Sequence, residues 1–194
     1  RPILSTGQFD LETPMAVGFA FVVVMGLGNY VGTRFTFPAL LHGLALVLMV
    51  LPLATAQFSW LPDVAQSRLA AALMIGGALW WAERCERLAA PVRTPLDRVW
   101  IEFRDRFGIV WSKRILDRLN HMAANDRLIA RMGLTGVVAR DGNDVPPPDD
   151  VAALERSLRW LLRRFVDEAW IDEQLRRGRV AVPHSLPPWR DSAP

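Results

Sequence analysis

The sequence predicts an all-α membrane protein, with three transmembrane helices followed by a cytoplasmic region of two long amphipathic helices. Three observations carry that expectation. Pro14 to Val31 is eighteen residues without a charge, and two more apolar stretches follow before Ala82. Residues 1–82 hold only three cations and three acids, whereas residues 83–194 hold the other 20 cations and 17 acids. Beyond Thr94 the apolar residues recur at helical spacing rather than in runs. A hydrophobic fraction of 51% with mean hydropathy +0.15 fits such a division better than it fits a uniform chain.

Residues 1–13 read as an N-terminal arm, and Thr13-Pro14 as a helix start with a hydroxyl cap and proline at the first helical position. A transmembrane bundle over 14–88 is expected, with spans at about 14–32, 37–56 and 66–85, because roughly 20 helical residues cross a hydrocarbon core. Pro52 should disturb the end of the second span, and Trp60 falls in the loop after it. The third span is the shortest, with fourteen uncharged residues from Leu69 to Ala82, so a re-entrant segment is its rival. Arg84, Arg87, Arg93 and Arg98 follow it and place that side in the cytoplasm. The resulting topology is multi-pass in a bacterial inner membrane, N-terminus outside and C-terminus cytoplasmic.

A cytoplasmic helical region over 94–178 is expected, with a linker at 133–150. Thr94-Pro95 opens a long helix to about residue 123, along which Leu96, Trp100, Phe103, Phe107, Val110, Trp111, Ile115 and Leu119 form one apolar face. Gly133 to Val138 reads as a short extended piece, and Asp141 to Asp150 as linker by composition. Asp150 should cap a last helix running to Arg177 and ended by Gly178, with Glu155–Arg159, Arg164–Glu168 and Glu173–Arg177 as surface pairs. The Pro-rich tail covers 179–194.

Several function classes find no support. The single cysteine, Cys85, excludes an intrachain disulfide framework and any CxxC metal site. His121 and His184 lack metal-ligand spacing, so no metal is expected. The basic residues are interleaved with acids, so no nucleic-acid footprint stands out. Gly26-Leu-Gly28 follows an apolar run, but neither the helix start nor the later acid of a dinucleotide fold accompanies it. Gly28, Gly32, Gly76 and Gly77 read instead as helix-packing positions where small residues admit a neighbouring helix.

His42 is the one ionisable residue well inside an apolar stretch. Its bland reading is a neutral side chain hydrogen-bonded to a neighbouring helix. Its functional reading is a haem or shared ligand completed by a partner subunit, since the chain offers no second intramembrane ligand. Trp100, Phe103, Arg104, Phe107 and Trp111 mix aromatics with cations, and Arg104 and Arg118 fall near the apolar stripe. That mixture suits a partner or lipid interface, or packing on the last helix. Glu102 and Asp105 could serve an active site, although paired acids on a helix are more often solvated surface. The function expected is a non-catalytic accessory, anchoring or scaffold subunit of an inner-membrane complex, partnered by other membrane subunits and the bilayer. The alternative is a small redox or transport component built on His42.

Overall fold

The computed structural model describes residues 13–54, 64–88, 92–139 and 146–181. Residues 1–12 of the N-terminal arm, the loop with Trp60, linker residues 140–145 and the tail beyond 181 lie outside the described residues. The chain divides into two compact units, Arg1–Ala89 and Ala90–Pro194.

The first unit consists of α1 (Thr13–Gly28), α2 (Thr36–Ala54) and α3 (Val64–Arg87). These helices overturn the three-span expectation and the inner-membrane topology built on it: among the described residues, no helix is long and apolar enough to cross a membrane. The physical reasons differ from helix to helix. Within the described residues α1 covers sixteen residues, a rise of about 24 Å, and α2 nineteen, a rise of about 28 Å. With 24 residues α3 is long enough, but Arg68, Glu83, Arg84, Glu86 and Arg87 confine its uncharged stretch to the middle.

The end of α1 is set by a turn that the apolar run conceals. Tyr30 N donates to Leu27 O (3.0 Å), Thr33 N donates to Tyr30 O (3.1 Å), and Gly32 adopts φ +82°. Thr36 Oγ1 accepts from Gly32 N at 3.0 Å and lies 2.7 Å from Thr33 O. That hydroxyl starts α2 while the chain is still reversing.

Small residues set the spacing within this unit. α2 packs against both α1 and α3. Ala45, Ser67, Ala71 and Ala78 are buried, and a Cβ on Gly43 would lie 2.6 Å from the Leu27 methyls. Leu27 is therefore seated in a notch that only glycine leaves open.

The second unit is built on α4 (Pro95–Asn125). Its start obeys the sequence: Thr94 caps, Asp97 N donates to Thr94 Oγ1 (3.2 Å), and Asp97 Oδ2 accepts from Thr94 N (2.7 Å). Gly108, at φ 81° and ψ 175°, breaks the helix into two arms. That conformation is essentially reserved for glycine. The C-terminus closes as a Schellman motif, with Leu128 N donating to Ala123 O (2.9 Å), Arg127 N to Ala124 O (3.2 Å), and Arg127 at φ 57°.

A hairpin of β1 (Ala130–Met132) and β2 (Val137–Ala139) follows, paired antiparallel with Arg131 opposite Val138. Side chains complete its open edges. Asn120 brackets Met132, donating to its carbonyl and accepting from its amide, each at 2.9 Å. Asp150 Oδ2 accepts from Ile129 N (2.6 Å) and Ala130 N (3.2 Å). Asp150 thus caps a strand rather than the helix expected after it, where Pro147 occupies the N-cap.

The expected last helix is two helices, α5 (Pro148–Leu162) and α6 (Glu168–Ala181). Asp167 accepts from Trp170 N at 2.8 Å and restarts the helix, with Val166 and Ile171 flanking the cap on the core side. Gly178 lies inside α6 and does not end it. A Cβ there would meet Pro95 Cα at 2.7 Å, so glycine is what lets α6 approach the start of α4. Glu155–Arg159 (3.1 Å) and Glu173–Arg177 (2.7 Å) form as read from the sequence, but Glu168 pairs with Arg163 instead of Arg164. The core joins Leu96, Val99, Trp100 and Phe103 of the first arm to Leu119, Leu154, Leu158, Leu162, Ile171 and Leu175.

Candidate functional site

The aromatic residues of α4 are sorted by the break at Gly108 and by one residue from elsewhere. Phe165, in the turn between α5 and α6, meets Phe103 (5.6 Å between centroids), Phe107 (5.7 Å) and Trp111 (5.3 Å) edge-on. Trp100 and Phe103 are buried and stack, and Phe107 is half-buried against Phe103 at 4.7 Å. These three spend their apolar surface inside the unit. Packing on the last helical segment, one of the two readings of this stretch, is what the structure places there.

Arg104 is turned to the hairpin. Its Nη1 donates to Leu134 O at 2.8 Å, beside Trp100 Nε1 donating to the same carbonyl at 3.3 Å. Its Nε and Nη2 donate to Asp105 Oδ1 at 3.0 and 2.9 Å. Asp105 is buried, not the solvated acid expected, and the adjacent guanidinium supplies the charge that makes its burial tolerable. Glu102 pairs with Arg98 at 3.3 Å. Both carboxylates are thus engaged with arginines of α4.

Trp111 is the member of the set left at the surface, 43% exposed, with Val110 exposed next to it. The guanidinium of Arg114 lies over its ring at 5.1 Å. Arg118 and His121 continue the same exposed face, since positions 111, 114, 118 and 121 are three and four apart. Among the described residues neither Arg114 nor Arg118 has an acidic partner, whereas Lys113 at the edge is paired with Asp117 at 2.8 Å. The sequence marked Trp111 but placed Arg118 near the apolar stripe; Arg118 is instead exposed, away from buried Ile115 and Leu119, because the face a helix leaves open depends on what packs behind it.

In the first unit His42 is exposed on α2, and among the described residues no group of three His, Cys, Asp or Glu side chains is placed to hold a metal. Gly28 ends α1, Gly32 serves the turn, and a Cβ on either would meet nothing within 4 Å. The same holds for Gly76, while a Cβ on Gly77 would make ordinary contact with Leu41 Cδ2 at 3.5 Å. The close approach among the described glycines of this unit is made at Gly43, which the sequence reading did not single out. Trp81 packs on Phe37 at 5.0 Å and on Trp80 at 6.1 Å. Trp80, Glu83, Arg84 and Arg87 line a shallow cleft of about 80 Å³, and Cys85 is a half-buried free thiol.

The second unit also has an open depression of about 610 Å³ lined by Asp149, Ala152, Glu155, Arg156 and Arg159. Burial works against the Arg159 charge, but donation to Asp172 and to Glu155 outweighs it and holds the guanidinium above its ordinary value. Such an arrangement locks α5 to α6. No family model, no curated protein and no solved structure matches the chain.

Proposed function

We propose that this chain is a non-catalytic accessory, anchoring or scaffold subunit of a larger assembly, with its first unit seated against apolar surface supplied by a partner. One observation carries the reading. Phe21 (65% exposed) and Val22 (69%) of α1, and Leu73 (68%) and Leu79 (66%) of α3, stand outward together with Met15, Val17, Met25, Leu40 and Leu44. Isolated exposed apolar residues are ordinary, but extended patches mark interaction surfaces, because each buried Leu or Phe is worth roughly 1.5–3 kcal/mol. Several polar groups of the second unit serve the fold: Asp97 and Asp167 at helix caps, Asn120 and Asp150 at strand edges, and Arg159 between α5 and α6.

The test is purification of the tagged full-length chain in mild detergent, with the mass and subunit ratio of the particle measured and its components identified by mass spectrometry. The expected result is a partner retained in fixed ratio, with protection of α1 and α3 from surface labelling. A stable lone monomer without detergent, and no complex altered on deletion of the chain, would overturn the reading.

A further inference from the structure

We propose that the exposed face of the second arm of α4, formed by Val110, Trp111, Arg114 and Arg118, docks an acidic amphipathic helix of a protein partner. The proposal does not depend on what covers the first three helices. It begins from the helix itself. Ser112, Ile115, Leu116, Leu119 and Ala123 are buried on one side of this arm, which forces Val110, Trp111, Arg114, Arg118 and His121 onto the other. The apolar part of that face is small, consisting of Val110 and Trp111, and Arg114 and Arg118 flank it, with Asp117 at its edge paired to Lys113. Phe165 braces the Trp111 ring edge-on from behind, and Arg164 beside it is exposed. A braced Trp flanked by arginines has the composition of an interface hot spot.

Charge selects the occupant. Arg114 and Arg118 are one helical turn apart, the spacing at which carboxylates repeat on a partner helix. The guanidinium of Arg114 is held on the Trp111 ring, so it is oriented for a carboxylate before one arrives. A nucleic acid would need cations tracking more phosphates than a stripe of about three turns supplies, and Asp117 borders this one. A lipid surface would need a broad apolar face, which this arm has turned inward. An acidic helix with one apolar side chain on Trp111 and carboxylates on Arg114 and Arg118 meets both requirements.

The experiment uses the full chain and three labelled synthetic helices of about 20 residues with leucine at core spacing, carrying Glu, Lys or Gln elsewhere. Binding is read by fluorescence anisotropy at two salt concentrations. The Glu helix is expected to bind about tenfold or more tighter than the Lys helix, with the difference shrinking as salt rises. Arg114→Glu with Arg118→Glu should reverse that preference, Arg114→Gln with Arg118→Gln should abolish it, and Trp111→Ala should weaken the Glu helix without reversing it. Both arginines are exposed, so circular dichroism of the double variants should match the parent. Equal binding of the three helices, or a preference unchanged by charge reversal, overturns the proposal. Tighter binding of single-stranded RNA or of phosphatidylglycerol vesicles, with the same dependence on Arg114 and Arg118, overturns the class of partner.

Discussion

Replacing Asp97 by alanine should detach the hairpin from the start of α4. Asp97 is 2% exposed and accepts three backbone amides: Val137 N on Oδ1 (2.7 Å), and Thr94 N (2.7 Å) and Arg93 N (3.1 Å) on Oδ2. A hydrogen bond to a charged acceptor contributes about 1.5–3 kcal/mol, and loss of a helix cap costs about 1 kcal/mol. Arg93 and Thr94 recover part of their loss from water, so the sum for Asp97→Ala is about 3–4 kcal/mol. That is a large fraction of the roughly 5–15 kcal/mol that holds a domain folded. At a urea dependence of about 1.5 kcal/mol per M, the midpoint should fall by about 2 M.

Because the chain holds two units, hydrogen exchange resolved over residues 92–139 is the assay of choice, and the Val137 amide should lose its protection. Asp97→Asn keeps one acceptor oxygen without the charge and should fall between the parent and Asp97→Ala. Gly136→Ala attacks the same junction, since its Cβ would lie 2.4 Å from Asp97 Oδ1. The two alanine substitutions together should therefore cost about 1 kcal/mol less than their sum. A midpoint shift below about 0.5 M, or unchanged exchange at Val137, would show that the carboxylate does not hold the hairpin.

Four further outcomes follow from the same geometry. Gly178→Ala should destabilise by about 1–2 kcal/mol in urea unfolding, because its Cβ meets the Pro95 backbone, whereas Gly76→Ala, with nothing within 4 Å, should be neutral or stabilising by up to about 1 kcal/mol. Arg127→Gly should stabilise by about 0.5–1 kcal/mol, since the Schellman position stands at φ 57°. Donation from Arg176 and then Arg177 holds Glu173 below its ordinary value of 4.5. Its contribution is thus present above pH 4.5 and lost as pH falls through the lower folded value, and the acid limb of a helicity titration should flatten in Glu173→Gln.

The sequence by itself determined what depends on neighbours in the chain. Thr94-Pro95 and Asp97 announce the start of α4, Leu96, Trp100, Phe103, Ile115 and Leu119 announce buried positions although Val110 and Trp111 of the same expected face are exposed, and Glu155–Arg159 and Glu173–Arg177 announce their pairs. Each is a contact within one turn of helix, legible because the helical period is known in advance. The aromatic candidates were legible as a group, but not their sorting into buried Trp100 and Phe103 and exposed Trp111. Only tertiary structure decided that sorting, because it needed Phe165 to arrive from beyond the hairpin. It also decided how far the apolar stretches run as helices, since a turn tied by Tyr30, Thr33 and Thr36 ends α1 within an uncharged run. Two strands of three residues have too few positions to show a period, and the side chains that tie them down lie far off in the chain: Asp97 forty residues before Val137, Asn120 twelve before Met132 and Asp150 twenty after Ala130. Asp97 could be read as a cap from its neighbours, but its second oxygen found its partner only when the chain folded back.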